Sequence, residues 1–259
     1  MRAAARAALA ILVALVAAAG LGAYLLARGW RPAAASQRAA AAGRAPAGAQ
    51  APLTLAELEE SGLLNESPSL GPAGASKVVV VVYDPECPYC ALELNATLPF
   101  LYYISAGTGQ ARVVFLGLPI HEYSVPMLEI LDAVYRMYGP GAFARLLGWN
   151  YAYYVYWIEQ YEEGKVRQLV VPTNATLLQM ADELGYNVTQ AEAAQYAALV
   201  EETASFLVQH GIYATPTLLA YDGQGAPAYV QVGLASPLYL ECNVTEALSL
   251  SVPGLSCPP

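Results

Sequence analysis

The sequence predicts an α/β fold: a central mixed sheet flanked by helices, with a large helical insertion and an N-terminal transmembrane helix ahead of it. Three features carry that expectation. Five consecutive valines, Val78 to Val82, run through Tyr83-Asp84-Pro85-Glu86 into Cys87-Pro88-Tyr89-Cys90 and then a helical stretch that begins at Ala91. A strand pair follows Thr215-Pro216 and turns at Asp222-Gly223, with its second strand at about 228–232. Between these two units, residues 120–210 carry a mostly helical pattern.

The chain opens on a segment of six residues that reads as cytoplasmic. Ala7 to Ala27 is a 21-residue stretch without a charge, long enough to span a bilayer. It exceeds the roughly 7–15 residues of a signal-peptide core, yet Ala33-Ala34-Ala35 offers a small-residue cleavage site, so anchor and cleaved signal both stand. Arg2 and Arg6 precede the span while Arg28, Arg31, Arg38 and Arg44 follow it, a count that would put the C-terminal side inside. Asparagine usage overrules the count. Five of the six asparagines, Asn65, Asn95, Asn174, Asn187 and Asn243, begin an Asn-x-Ser/Thr triplet, far more than chance placement of Ser and Thr would give. Such a set predicts a translocated surface open to N-glycosylation.

Residues 28–75 read as an Ala/Pro/Gly-rich linker with a short helix near 54–64, opened by the capping box Thr54-Leu55-Ala56-Glu57. Residues 76–250 form the folded domain and 251–259 a C-terminal tail. In the domain, the valine run predicts a strand covered on both faces, and Arg112 to Gly117 a second strand parallel to it. Ser124 to Tyr138 reads as a helix capped by Ser124 and ended by Gly139-Pro140. Further helix is expected to 210 with breaks near Gly148, Gly164–Pro172 and Gly185–Asn187, and Thr189 to His210 is the clearest piece.

Charge excludes one class of partner. All 21 acidic residues lie at or after Glu57, against six basic ones there, so the domain carries about −15 and repels nucleic acid. Neither a phosphate-binding glycine loop nor a metal-ligand cluster is evident in the sequence, and no cofactor or metal is expected.

The chemistry sits in Cys87-Pro88-Tyr89-Cys90. Cys87 falls at a helix N-terminus with Pro88 at the first helical position, where a missing N–H costs nothing. Unsatisfied N–H groups and the helix dipole favour a thiolate there, lowering a pKa of about 8.5 into the range of roughly 3.5–7.5. Glu86 opposes this shift. Cys90, nearly one turn on, faces the same side and can resolve a mixed disulfide at Cys87. A zinc site would need two more ligands at suitable spacing, and the chain has only Cys242, Cys257 and two histidines. An inert bridge across one turn would close too short a loop to stabilise much.

These phrases, with Leu118-Pro119-Ile120-His121 and Ala214-Thr215-Pro216-Thr217, resemble the DsbA-like thiol:disulfide oxidoreductases of the thioredoxin superfamily over about residues 76–250. The resemblance implies a thioredoxin fold, a cis Pro216, and Thr215 beside Cys87 where it holds substrate. It also implies that Tyr89 tunes the potential. It implies an extracytoplasmic oxidase acting on unfolded or thiol-bearing exported proteins, recycled by a membrane oxidase. A reductase or isomerase of the same compartment is the enzymatic rival. The non-enzymatic rival is a chaperone-like domain using the Trp149, Tyr151, Tyr153, Tyr154, Tyr156, Trp157 and Tyr161 patch. Asp84 reads as a strand-end turn residue or a proton relay, and His121 as structural or functional. Cys242 and Cys257 suggest a structural disulfide in an oxidising compartment, with a second redox relay as the alternative.

Overall fold

The computed structural model describes residues 52–258. The expected membrane span Ala7 to Ala27, the segment before it and the linker up to residue 51 lie outside the described residues. Among the described residues no helix is long and apolar enough to cross a membrane.

Five strands, β1 (Ser69–Leu70), β2 (Val78–Tyr83), β3 (Arg112–Gly117), β4 (Thr217–Tyr221) and β5 (Tyr229–Val232), form one mixed sheet in the order β1-β3-β2-β4-β5. β2 (Val78–Tyr83) lies at its centre, parallel to β3 (Arg112–Gly117) and antiparallel to β4 (Thr217–Tyr221). The valine run is buried along its whole length because both faces are covered. Val79, Val81 and Tyr83 enter the larger core beneath the helical insertion, and Val78, Val80 and Val82 enter a second core on the other face. β5 (Tyr229–Val232) closes one edge against β4.

The linker expectation is corrected for residues 53–70. α1 (Leu55–Glu60) does open on the Thr54 capping box, but the expected single helix breaks at Gly62 (φ 80°) into α2 (Leu63–Glu66). Leu53, Leu55, Leu58, Leu63 and Leu64 are buried in the second core. β1 (Ser69–Leu70) then pairs antiparallel with β3. Buried Arg112 ties this segment down: its guanidinium donates to the Leu64 carbonyl, Asn65 and Ser69. Leucines spaced among Ser, Pro and Gly look like spacer in sequence. They pack here because they cover a sheet face that would otherwise meet water.

α3 (Pro88–Tyr102) follows β2 and carries the dithiol. The insertion comprises α4 (Ser124–Tyr138), α5 (Pro140–Glu162), α6 (Asn174–Glu183), α7 (Gln190–Ala193), a 3-10 turn at Ala194–Tyr196 and α8 (Ala197–Gln209). Two details differ from expectation. α5 runs through Gly148 without a break, and the stretch after Thr189 is split by the 3-10 turn rather than continuous. The expected aromatic patch on α5 divides: Tyr151 and Tyr154 are core, whereas Trp149, Tyr156 and Tyr161 are exposed. α9 (Pro237–Ala247) carries Cys242, which is joined to Cys257.

Candidate active site

β2 ends at Tyr83, and the next four residues deliver the chain to the start of α3. Cys87 is the N-cap, with Pro88 in the first turn. Both cysteines are free thiols, 2 % and 0 % exposed, whereas Tyr89 between them is 57 % exposed. The Cys87 sulfur is covered from the opposite side by the loop before β4. The Cys87 thiol lies 3.5 Å from the Thr215 carbonyl oxygen, and the Thr215–Pro216 bond is cis. Among the described residues the buried Thr215 hydroxyl has no hydrogen-bond partner.

The two thiols are driven apart electrically. The Cys90 thiol donates to Cys87, and this bond is the largest influence on the Cys87 pKa; burial opposes it. Thr215 and the backbone N–H groups of Cys90 and Tyr89 add to the first effect, and the Cys87 pKa is held down to about 6. The N–H groups are the unsatisfied donors of the helix start, the source expected from sequence. Cys90 moves the other way. Burial pushes it well above the usual thiol range, and the bond and charge of Cys87 reinforce that. The Glu86 carboxylate accepts from the Tyr123 N–H at 2.6 Å.

The turn that presents Cys87 is fastened at Asp84. This fully buried carboxylate accepts from the Glu86 N–H (2.8 Å), the Ile120 N–H (2.9 Å), the Ser124 hydroxyl (2.7 Å) and His121 Nδ1 (2.8 Å). Ser124 thus serves Asp84 rather than capping α4, whose N-cap is Tyr123. Burial lowers the His121 pKa, but the adjacent Asp84 carboxylate and the nearby charges of Cys87 and Glu86 outweigh it, and the net shift is upward. The Asp84 carbonyl receives both the Cys87 N–H and the Tyr151 hydroxyl, each at 3.1 Å.

Three participants escaped the sequence reading. Asn150 is buried in α5 and donates to the Pro85 carbonyl at 2.7 Å. A lone amide among Leu146, Leu147 and Tyr151 was the available signal. Glu93 lies three residues past Cys90 on α3, buried, and accepts from Gln231 (2.6 Å) and the Ala235 N–H (2.7 Å). Burial pushes Glu93 up to about 7, with the Cys87 charge a smaller contribution in the same direction. Gln231 donates also to the Gly233 carbonyl, and the Gly233 N–H to that of Pro216. Glu93 thereby links the dithiol helix to the Thr215–Pro216 loop.

At pH 7, iodoacetamide should modify Cys87 at least about tenfold faster than Cys90, since the thiolate fraction favours Cys87. Its rate should titrate near pH 6, following the lowered Cys87 pKa, as read by tandem mass spectrometry of the Cys87–Cys90 peptide. Equal rates at the two sulfurs would remove the asymmetry.

A dithiol at a helix start, facing a cis-proline loop across a mixed sheet, defines a thiol–disulfide oxidoreductase. The thioredoxin family model matches residues 64–226, and the chain belongs to that family, with a helical insertion between β3 and β4. Solved structures share the fold. The catalytic domain of Proteus mirabilis ScsC is 20% identical, with 76% of this chain and 98% of that one covered and a TM-score of 0.55. A periplasmic thioredoxin-like protein from Salmonella enterica serovar Typhimurium is 22% identical, covering 74% and 97%, TM-score 0.54. The thiol-disulfide exchange protein alpha-DsbA2 from Wolbachia pipientis is 15% identical, covering 74% and 93%, TM-score 0.52. No match was found among the curated proteins.

Proposed function

We propose that the protein is an extracytoplasmic thiol:disulfide oxidase that forms disulfides in exported proteins, with Cys87 the exchanging sulfur and Cys90 its resolving partner. The observation that carries this is the opposed pair of pKa shifts. A thiolate stabilised at Cys87 stabilises the reduced dithiol, and the disulfide is correspondingly more oxidising. In the forward step a substrate thiolate attacks Cys87 Sγ of the Cys87–Cys90 disulfide. That S–S bond breaks, and Cys90 leaves with the electron pair and takes a proton. A second substrate thiolate attacks its own chain's sulfur in the mixed disulfide, the substrate disulfide forms, and Cys87 departs as thiolate. A low-pKa sulfur leaves fastest at this stage. A membrane oxidase that accepts the two electrons restores the disulfide.

Three further features support the extracytoplasmic setting. The uncharged Ala7 to Ala27 stretch would anchor or export the domain. Cys242 and Cys257 form a disulfide, which an oxidising compartment preserves. The structurally similar Salmonella protein is periplasmic.

The test is the potential of the couple against glutathione as a function of pH. Above the Cys87 pKa of about 6, reduction takes up one proton, and below it two. The potential should therefore fall by roughly 59 mV per pH unit below that point and by roughly 30 mV above it. At pH 7 it should lie in the range of about −120 to −180 mV. A value near that of thioredoxin, about −270 mV, would overturn the oxidase assignment in favour of a reductase.

A further inference from the structure

We propose that Asn187 is an N-glycosylation site, an inference that rests on the extracytoplasmic placement of the domain. The sequons alone do not select it; the fold does. The one asparagine outside a sequon, Asn150, is buried and holds the Pro85 carbonyl. Three of the five sequon asparagines also have structural work. Asn65 accepts from Arg112 at 3.3 Å, Asn174 donates to Gln190 at 3.1 Å, and Asn243 donates to the Tyr239 carbonyl at 2.6 Å. Asn95 is half-buried on the dithiol helix, and the hydroxyl of its Thr97 is buried and committed to the Glu93 carbonyl at 3.0 Å.

Asn187 differs from all of these. It stands in the irregular segment between α6 and α7, and both it and Thr189 are exposed. The backbone there is held from below: the Tyr138 hydroxyl accepts from the Asn187 N–H (2.9 Å) and donates to the Asn187 carbonyl (3.2 Å). Tyr186 packs on Tyr138 with ring centroids 5.1 Å apart, and Val188 is buried. Among the described residues no hydrogen bond uses the Asn187 side-chain amide. The cap of α7 accounts for Thr189, whose exposed hydroxyl accepts from the Glu192 N–H and donates to the Glu192 carboxylate at 2.7 Å, but nothing in the fold accounts for asparagine two residues earlier. A bulky glycan on this amide would extend into solvent without displacing a protein contact.

The ligand is a saccharide supplied by a polyprenyl-phosphate-linked donor through a membrane transferase. In the transfer, the bond from the anomeric carbon to the donor phosphate oxygen breaks and a bond from that carbon to Asn187 Nδ2 forms. One amide proton passes to a base of the transferase, and no electrons are exchanged. The hydroxyl at position 189 is the second element the transferase reads.

The experiment is peptide mass spectrometry of the full chain from the cells that naturally make it, paired with protease treatment of intact cells. The Asn187 peptide should carry a saccharide mass. That mass should be lost in Asn187→Gln and Thr189→Ala and kept in Thr189→Ser. Thr189→Ala also removes a helix cap, so Asn187→Gln, which touches only the unpaired amide, is the deciding variant; its disulfide-exchange rate should equal the parent's. An unmodified Asn187 peptide from chain that external protease digests would overturn the site while leaving the location intact, whether or not another sequon is occupied. Chain protected from external protease would overturn the location, and the site with it.

Discussion

Replacing Cys87 with serine should reduce disulfide exchange by at least about 10³-fold, the scale lost when a covalent nucleophile is removed. A hydroxyl cannot form the mixed disulfide on which every later step depends. Cys90→Ala should behave differently, because it leaves the thiolate at Cys87 and removes only the sulfur that releases a bound partner. In cells this variant should accumulate mixed disulfides that reducing agent dissolves on a gel, and the Cys87→Ser variant should accumulate none. The electrical asymmetry is the reason. The Cys87 pKa, held down to about 6, leaves most of that sulfur charged at neutral pH. Burial keeps Cys90 protonated until a neighbouring disulfide draws it in. Losing the Cys90 hydrogen bond should also raise the Cys87 pKa, and the iodoacetamide profile of Cys90→Ala would reveal it. Equal trapping by the two variants would contradict the roles of attacking and resolving sulfur.

Asp84→Ala should destabilise the domain by about 3–5 kcal/mol, because it strips a buried carboxylate from four donors at once. For a domain of this size the melting temperature should drop by roughly 6–20 °C. The loss should itself depend on pH. The His121 pKa is raised in the folded state by Asp84, so that part of the stability is full below the unfolded value. It fades as pH rises through the folded value. Urea unfolding of parent and variant at pH 5.5 and pH 8.5 should therefore show the larger difference at the lower pH. A uniform loss of under about 1 kcal/mol would mean that the four hydrogen bonds do not hold the turn, a result within the range of ordinary surface substitutions.

Much of the site was legible from local chemistry. A β-branched run followed by Cys-Pro-Tyr-Cys and a helical pattern places the dithiol at a helix start, and the physics of helix termini then sets the direction of the Cys87 shift. Its source proved more particular, since the Cys90 thiol contributes more than any backbone group. Adjacency along the chain does not fix where a carboxylate points: Glu86, next to Cys87 in sequence, accepts from the Tyr123 N–H.

Sequence by itself determined the elements whose signals are local: the buried central strand, the dithiol at the start of α3, and the capping box at Thr54. Tertiary structure alone decided that the leucines of residues 53–70 belong to the core, because covering a sheet face is a property of the whole sheet. It likewise decided that Asn150 holds the Pro85 carbonyl and that Glu93, through Gln231, holds the loop of Thr215–Pro216. Both side chains are polar and buried, and a buried polar group must find a partner wherever the packed chain supplies one.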